Sequence, residues 1–479
     1  MYDVIIIGAG VIGSATAYYL AQYNISTLVL ESSNDVSNGT SKANTAIIHA
    51  GYDPKPHTLM AKYNVEGSLL TKELCRKLDV PYINNGAMVL AFNDEEIDLL
   101  KELYQRGIEN GVEGLTLLDS QQAKEAEAEI STEVKGALLV KTSAIISPWE
   151  YTYALIETAV RNGVTLKLNN KVTDIKKEKG IFTVKTTERE YQCKYIINAA
   201  GIFADKVHEM IGEKEFTINQ VRGQYYLLDK SQGAKTKHTL FQCPNRLGKG
   251  VVVSPTVHGN LIVGPNAETI NDDDTSTTAD GLKFVKEKAI KSIPTINFGE
   301  NIRNFAGIRA KSDRDDFIVE ESKSVENFFN LAAMASPALS SAPAIALEAV
   351  KWILNKTSCS KKTNYIDERK KIRFKDLSPE EKNNLIKSDP SYGRIICRCE
   401  TITEGEILQC LNTPIPPCSI DGIKRRTNAG MGRCQGGFCS EKIALILMNK
   451  LNLNYRQILQ DEDGSNILLA EAKEGYENV

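Results

Sequence analysis

An α/β fold is predicted: a parallel dinucleotide-binding sheet, interrupted by an inserted α+β region and followed by a small cysteine-bearing domain. Three observations predict it. A β-branched run, Tyr2–Ile7 (YDVIII), leads directly into Gly8-Ala9-Gly10-Val11-Ile12-Gly13 and an alanine-rich stretch, and a second apolar run, Thr27–Leu30, ends on Glu31. Another buried-strand pattern, Lys194–Gly201 (KYIINAAG), recurs far along the chain, as a discontinuous nucleotide domain requires. Four of the ten cysteines fall in two tight groups between Cys397 and Cys439.

Each part of the opening segment has a physical task. A run apolar at every position suits a strand buried on both faces. In the Rossmann-like pattern Gly8 permits the tight turn, Gly10 lets the backbone approach a pyrophosphate, and Gly13 lets helix and strand pack closely. The following helix presents backbone N–H groups and a positive dipole end to phosphates. Glu31, at the tip of the second strand, is placed to accept hydrogen bonds from a ribose. The segment Ser37–Gly51 (SNGTSKANTAIIHAG) is rich in small and hydroxyl residues and can line the rest of a dinucleotide.

Length and composition agree. The chain has 479 residues, room for about three domains at roughly 150 residues each. Hydrophobic residues make up 42% and charged residues 25%, as in ordinary globular proteins. A formal charge of −3 argues against a general nucleic-acid binder. Val4–Leu30 contains no charged residue, yet its glycines, Gln22 and Asn24, and the lack of a preceding basic region, argue against a membrane span or signal peptide.

Later elements follow from local signals. Ser147-Pro148 opens a helix, with serine at the cap and proline at the first position. Asp94–Asn110 reads as a charged helix and Ala279–Ser292 as an amphipathic one, and LGKGVVVSPTVHGNLIVGP as a β-hairpin turning at Gly259-Asn260. The stretch 356–392 is crowded with Lys, Glu and Asp and reads as a charged linker. The apolar helix around Lys442–Leu451 is expected to pack internally, with a partner contact or a peripheral membrane contact left open.

Beyond the linker stand Cys397-Arg398-Cys399 and, after a gap of 34 residues, Cys434 and Cys439 in a CxxxxC pair. Four thiolates hold either zinc or an iron–sulfur cluster, and a CxC pair suits structural zinc less well. Glycines flanking Cys434 free backbone N–H groups for cluster sulfurs, while Arg398, Arg425, Arg426 and Arg433 offset negative charge. The other six cysteines lack such spacing and read as free thiols, which suits a reducing cytoplasm.

The glycine motif, Glu31, SKANTAIIHAG, INAAG and the late Ser336-Pro337-Ala338-Leu339-Ser340-Ser341 together resemble the FAD-dependent oxidoreductases of the D-amino-acid oxidase superfamily. Within it the chain is particularly similar to glycerol-3-phosphate dehydrogenases and oxidases, with L-2-hydroxyglutarate dehydrogenases next. CRCE and RRTxxGMGxCQGxxC resemble the bacterioferritin-associated-ferredoxin-like [2Fe–2S] domain, as found in anaerobic glycerol-3-phosphate dehydrogenases. One departure is Ala338, where related proteins often carry glycine.

The resemblance implies a Rossmann-like FAD domain (about 1–80, 148–216 and 305–355), an α+β substrate domain (about 81–147 and 217–304) and a [2Fe–2S] domain (393–479). It implies that FAD is held by Gly8, Gly10, Gly13, Glu31, Ser32, Thr40, Ser41, Asn44, Thr45, Val172, Ala200, Gly201, Gly307, Pro337, Ala338, Leu339 and Ser340. Cys397, Cys399, Cys434 and Cys439 would hold the cluster. His49, whose ordinary pKa lies near working pH, is the expected base; Arg309 and Lys249 are expected to hold the anionic end of the substrate. The expected reaction is oxidation of sn-glycerol 3-phosphate to dihydroxyacetone phosphate, with electrons passing through the cluster to a redox protein. The alternatives are an L-2-hydroxyglutarate or amino/imino acid dehydrogenase, or a non-catalytic electron-transfer subunit.

Overall fold

The computed structural model describes residues 1–244 and 250–470. The chain forms two compact units: Met1–Leu30 with Ser37–Arg369, and Glu31–Val36 with the chain from Lys370 onward.

In the first unit β1 (Tyr2–Ile7), α1 (Val11–Leu20) and β2 (Thr27–Leu30) follow in the expected order. Every residue of α1 is buried, which explains why the stretch carries no charge. β1 lies between β2 and β3 (Glu190–Asn198), parallel to both, with Ile5 opposite Leu28 and Ile196. The parallel strand Phe328–Ala332 pairs beyond β3, so strands far apart in sequence complete one sheet of eight strands among the described residues. Ile5, Leu28, Ile196 and Phe328 share one buried cluster.

The turn after β1 leaves no room for side chains at two of its glycines. A Cβ at Gly13 would lie 2.0 Å from Gly8 O, and one at Gly8, whose φ is +103°, would lie 2.5 Å from Ala199 O. Helix and strand therefore meet through bare backbone.

A second sheet has nine strands among the described residues, drawn from 87–140 and 218–312. The two stretches join where Ala87–Ala91 pairs in parallel with Thr239–Gln242. The hairpin forms between Val252–Pro255 and Leu261–Gly264, with Gly259 at φ +87°. β4 (Ile218–Leu228) and β5 (Asn301–Ser312) make a long antiparallel pair that sets Gly223 opposite Gly307 and Val221 opposite Arg309. β5 runs through residue 304, where the sequence reading ends the inserted region, because β4 offers it a ladder along its whole length. The helix Ala279–Ser292 buries Val285 and Ala289 against Leu228, Leu261 and Val263. α2 (Ala338–Lys356) packs on α1 and on the helix Leu59–Lys77, where a Cβ at Gly67 would come within 2.3 Å of Ser340 O.

The second unit is centred on α3 (Ile420–Thr427) and α4 (Ser440–Leu451), with Ile407, Ile423, Ile443 and Leu447 in its core. Within the charged stretch 356–392 lies a helix, Pro379–Ser388, started by a capping box between Ser378 and Glu381. A buried ionic group binds the two segments of this unit together. Arg426 donates to Asp35 from both terminal nitrogens, at 2.7 and 2.8 Å, and Arg425 donates to Asp461 at 2.6 Å. Burial opposes ionisation of Asp35, but Arg426, then Arg425, overcomes it and holds the carboxyl below its usual range.

Two expectations follow. Gly13→Ala should cost at least about 1–3 kcal/mol through overpacking, while Gly39→Ala, whose Cβ would meet nothing within 4 Å, should stay within about 0.5 kcal/mol of wild type; urea denaturation of the two variants checks the contrast. Asp35→Asn should cost about 3–5 kcal/mol by stranding buried charge. The depressed Asp35 pKa stabilises fully above the unfolded value of about 3.9 and is lost as pH falls through the folded value. Acid unfolding of the second unit should therefore lose its steep limb in Asp35→Asn.

Candidate active site and cysteine centre

The glycine turn sits at the carboxyl end of β1, where parallel sheets bind nucleotides. Gly10 differs from its neighbours: a Cβ there would meet only Ser41 Oγ, at 3.2 Å. Its open face lies at the start of α1, which has no side-chain cap at Gly10, and Val11 N donates to Ser41 Oγ at 2.9 Å. Nearby, Ser37 N donates to Ala9 O, while the fully buried Ser37 Oγ has no hydrogen-bond partner among the described residues. A bare backbone cradle at a helix N-terminus, with an orphaned hydroxyl beside it, fits a dinucleotide pyrophosphate. Glu31 follows β2 directly; its Oε1 accepts from Ser32 Oγ and Ser33 N, which orients the carboxylate.

The segment 40–49 is tied to two other elements. Thr40 Oγ1 donates to Ile308 O at 2.6 Å, and a Cβ at Gly307 would strike Ala43 O at 2.0 Å. Gly307 thus lets β5 lie against this segment. Asn44 braces the turn, donating to Thr40 O and Ser41 O while its Oδ1 accepts from Ala46 N; Thr45 is half-buried. His49 N donates to Ser340 Oγ at 2.7 Å, and His49 Nε2 lies 3.2 Å from Ser336 Oγ. Asn64 Nδ2 donates to His49 O, and the Phe241 ring lies 5.7 Å from the imidazole. The imidazole is therefore fixed at the N-terminus of α2, where Pro337, Ala338 and Leu339 form the first turn without a side-chain cap.

Arg309 is half-buried on β5; its Nη2 donates to Asn266 O at 2.9 Å, and it also bonds the Tyr225 hydroxyl. Burial pushes the Tyr225 phenol up, and Arg309 opposes the shift. Ala200 and Gly201 follow β3 beside the glycine turn, Gly201 with φ +60°. Val172 packs in the core with Ile7 and Leu30. Lys249 lies outside the described residues. Sequence reasoning did not assign roles to Ser336, Asn64 or Tyr225. Ser336 stands in the late serine-rich motif, which drew attention to the residues after it; Asn64 and Tyr225 carry no local signal.

In the second unit the four cysteines form two pairs. Cys399 and Cys434 hold their Sγ atoms 3.6 Å apart, close to the roughly 3.8 Å expected for two thiolates about 2.3 Å from one tetrahedral metal. Cys397 and Cys439 are hydrogen-bonded, which draws the Cys397 thiol down to about 6 and pushes Cys439 up. Backbone N–H groups of Gly430 and Glu400 also favour the Cys397 thiolate. Gly432 makes the convergence possible, since a Cβ there would sit 2.4 Å from Cys399 Cβ. Among the described residues no three metal-binding side chains gather as they would around a single ion. Two pairs suit a two-iron cluster, which asks for two thiolates at each iron. Arg425 and Arg426, both expected to offset cluster charge, are engaged by Asp461 and Asp35, while Arg398 and Arg433 are exposed.

A family model described as FAD dependent oxidoreductase matches residues 3–352. The chain belongs to the FAD dependent oxidoreductase family. A second model, BFD-like [2Fe-2S] binding domain, matches residues 395–449. FAD and a [2Fe–2S] cluster are accordingly the cofactors of this family member. A glycerol 3-phosphate dehydrogenase of Caloramator mitchellensis is 48% identical over 476 residues, covering 99% of each chain. Dithionite-reduced, FAD-bound L-alpha-glycerophosphate oxidase of Mycoplasma pneumoniae has 33% identity and a TM-score of 0.74, covering 77% of this chain and 98% of its own. A mitochondrial L-2-hydroxyglutarate dehydrogenase of Nematostella vectensis is 31% identical over 56% of this chain and 62% of its own. Among the described residues no helix is long and apolar enough to cross a membrane.

Cys399→Ser should remove the visible and electron-paramagnetic signature of the cluster and leave FAD content near that of wild type. Absorption spectra and cofactor assay of the purified variant check both.

Proposed function

We infer that this oxidoreductase converts sn-glycerol 3-phosphate to dihydroxyacetone phosphate and sends the electrons through its [2Fe–2S] cluster to a separate acceptor. The full-length likeness to a glycerol 3-phosphate dehydrogenase carries this reading; the hydroxyglutarate enzyme matches a smaller share of the chain. FAD, when bound, supplies the hydride acceptor, which the protein's side chains cannot provide.

The residues have separable roles. Gly8, Gly10, Gly13, Ser41, Glu31 and Ser32 hold the nucleotide, with Ala200, Gly201, Gly307 and the Pro337–Ser340 turn completing its site. His49 Nε2 takes the proton of the C2 hydroxyl, its ring steadied by Ser336 and its backbone by Ser340 and Asn64. For Nε2 to act as the base it must be unprotonated; the Ser336 hydroxyl, 3.2 Å away, then donates to it and is replaced there by the substrate hydroxyl. Arg309 holds the phosphate through its planar fork, with Asn266 O and Tyr225 limiting its rotation; Lys249 is assigned to the same anion. The uncapped N-terminus of α2 adds a fixed positive dipole end near the reacting centre. None of the ten cysteines is in a disulfide, and with an oxidation-sensitive cluster this supports a cytoplasmic location.

Anaerobic bleaching of the flavin should occur with glycerol 3-phosphate and not with L-2-hydroxyglutarate; the reverse pattern would sink the reading. His49→Asn should slow that bleaching by about 10²–10⁴-fold while leaving FAD bound. Arg309→Lys should chiefly raise KM, because a point charge replaces a bidentate fork.

A further inference from the structure

We propose that Arg398, Cys399, Arg433 and Phe438 form the face at which electrons leave the cluster, and that this face docks an acidic one-electron redox protein. The proposal rests on the functional reading above and adds the exit surface and the character of the partner. The four cluster ligands are unequally exposed: Cys397 and Cys439 are buried, Cys434 is half-buried and Cys399 is exposed. The Cys399/Cys434 pair is thus the edge of the centre that a partner in solution approaches most closely.

The residues between and beside these ligands have the composition of a docking face. Phe438 is 82% exposed, although its neighbour Cys439 is 1% exposed. Aromatic and arginine side chains are enriched where proteins meet. Arg398 and Arg433 are both exposed, and Arg398 makes no hydrogen bond or ion pair among the described residues. In exposure both differ from Arg425 and Arg426, which are buried and held by carboxylates. Of the nearby acids, Glu400 is buried, and exposed Glu441 is followed by exposed Lys442. The rim is therefore positive. Four thiolates give the centre itself negative charge, which would repel an acidic partner; the rim reverses that sign at the surface and steers such a partner in.

The electrons balance simply. Each glycerol 3-phosphate oxidised to the ketone loses two electrons and two protons. Two acceptor molecules take one electron each, and both protons pass to solvent.

Full-length protein loaded with FAD and cluster, reduced by dithionite, is mixed with acidic plastocyanin or basic cytochrome c as one-electron probes. The plastocyanin rate should fall at least tenfold as salt rises, and the cytochrome c rate should not. Arg398→Glu should slow plastocyanin at low salt by tenfold or more, and Lys442→Glu, outside the ligand loop, by a smaller factor. Phe438→Ser should slow it severalfold without changing the salt slope. A plastocyanin rate indifferent to salt, or unchanged in all three variants, overturns the proposal. Because dithionite supplies the electrons, this result stands apart from flavin bleaching by glycerol 3-phosphate, whose failure would count against the substrate assignment alone.

Discussion

The first unit depends on one steric constraint: backbone must meet backbone where β1 turns into α1. With Gly8 O already where a Gly13 Cβ would lie, and Ala199 O beside Gly8, the strand, the helix and β3 can approach only through glycine. That contact fixes the direction of α1 over the sheet and leaves Gly10 as the open position of the turn. The same device recurs at Gly307 against Ala43, which lays the second sheet on the segment leading to His49, and at Gly67 against Ser340. In each place a missing side chain, rather than a present one, sets where the chemistry is held.

The second unit relies on charge to a greater degree. Beside a core rich in isoleucine, a bidentate Asp35–Arg426 pair joins chain segments almost four hundred residues apart. Removing water from such a pair is costly, and the geometry must be good to offset it. Here both arginine nitrogens reach the same carboxylate, and Arg425 adds a second ion pair through Asp461. The buried arginines of this pair are thereby distinguished from Arg398 and Arg433, which lie exposed beside the cysteines.

Much of this was legible in the chain. Period, glycine spacing and caps are local signals, and they located β1, β2, the helices Asp94–Glu109 and Ala279–Ser292, and the hairpin around Gly259 to within a residue or two, while α1 begins at Val11, three residues before the alanine-rich stretch that marked it. The cysteine pairs were visible because metal-binding spacing is itself local. Ser147 shows the limit: it stands at the predicted cap, yet its hydroxyl makes no capping bond. The roles of Ser336, Asn64 and Tyr225 were not visible, since each acts on a partner tens to hundreds of residues away. Nor could the sequence separate Arg425 and Arg426 from Arg398 and Arg433, because one run of basic residues reads alike whether buried or exposed.

The sequence by itself determined the fold class, the nucleotide turn and the four-cysteine centre, because each is written in residues close together along the chain. Only the tertiary structure decided which serines hold His49, which backbone oxygen holds Arg309, and which arginines are buried and which exposed. Those outcomes depend on long-range packing and on which charges lose their water, and neither is encoded by spacing.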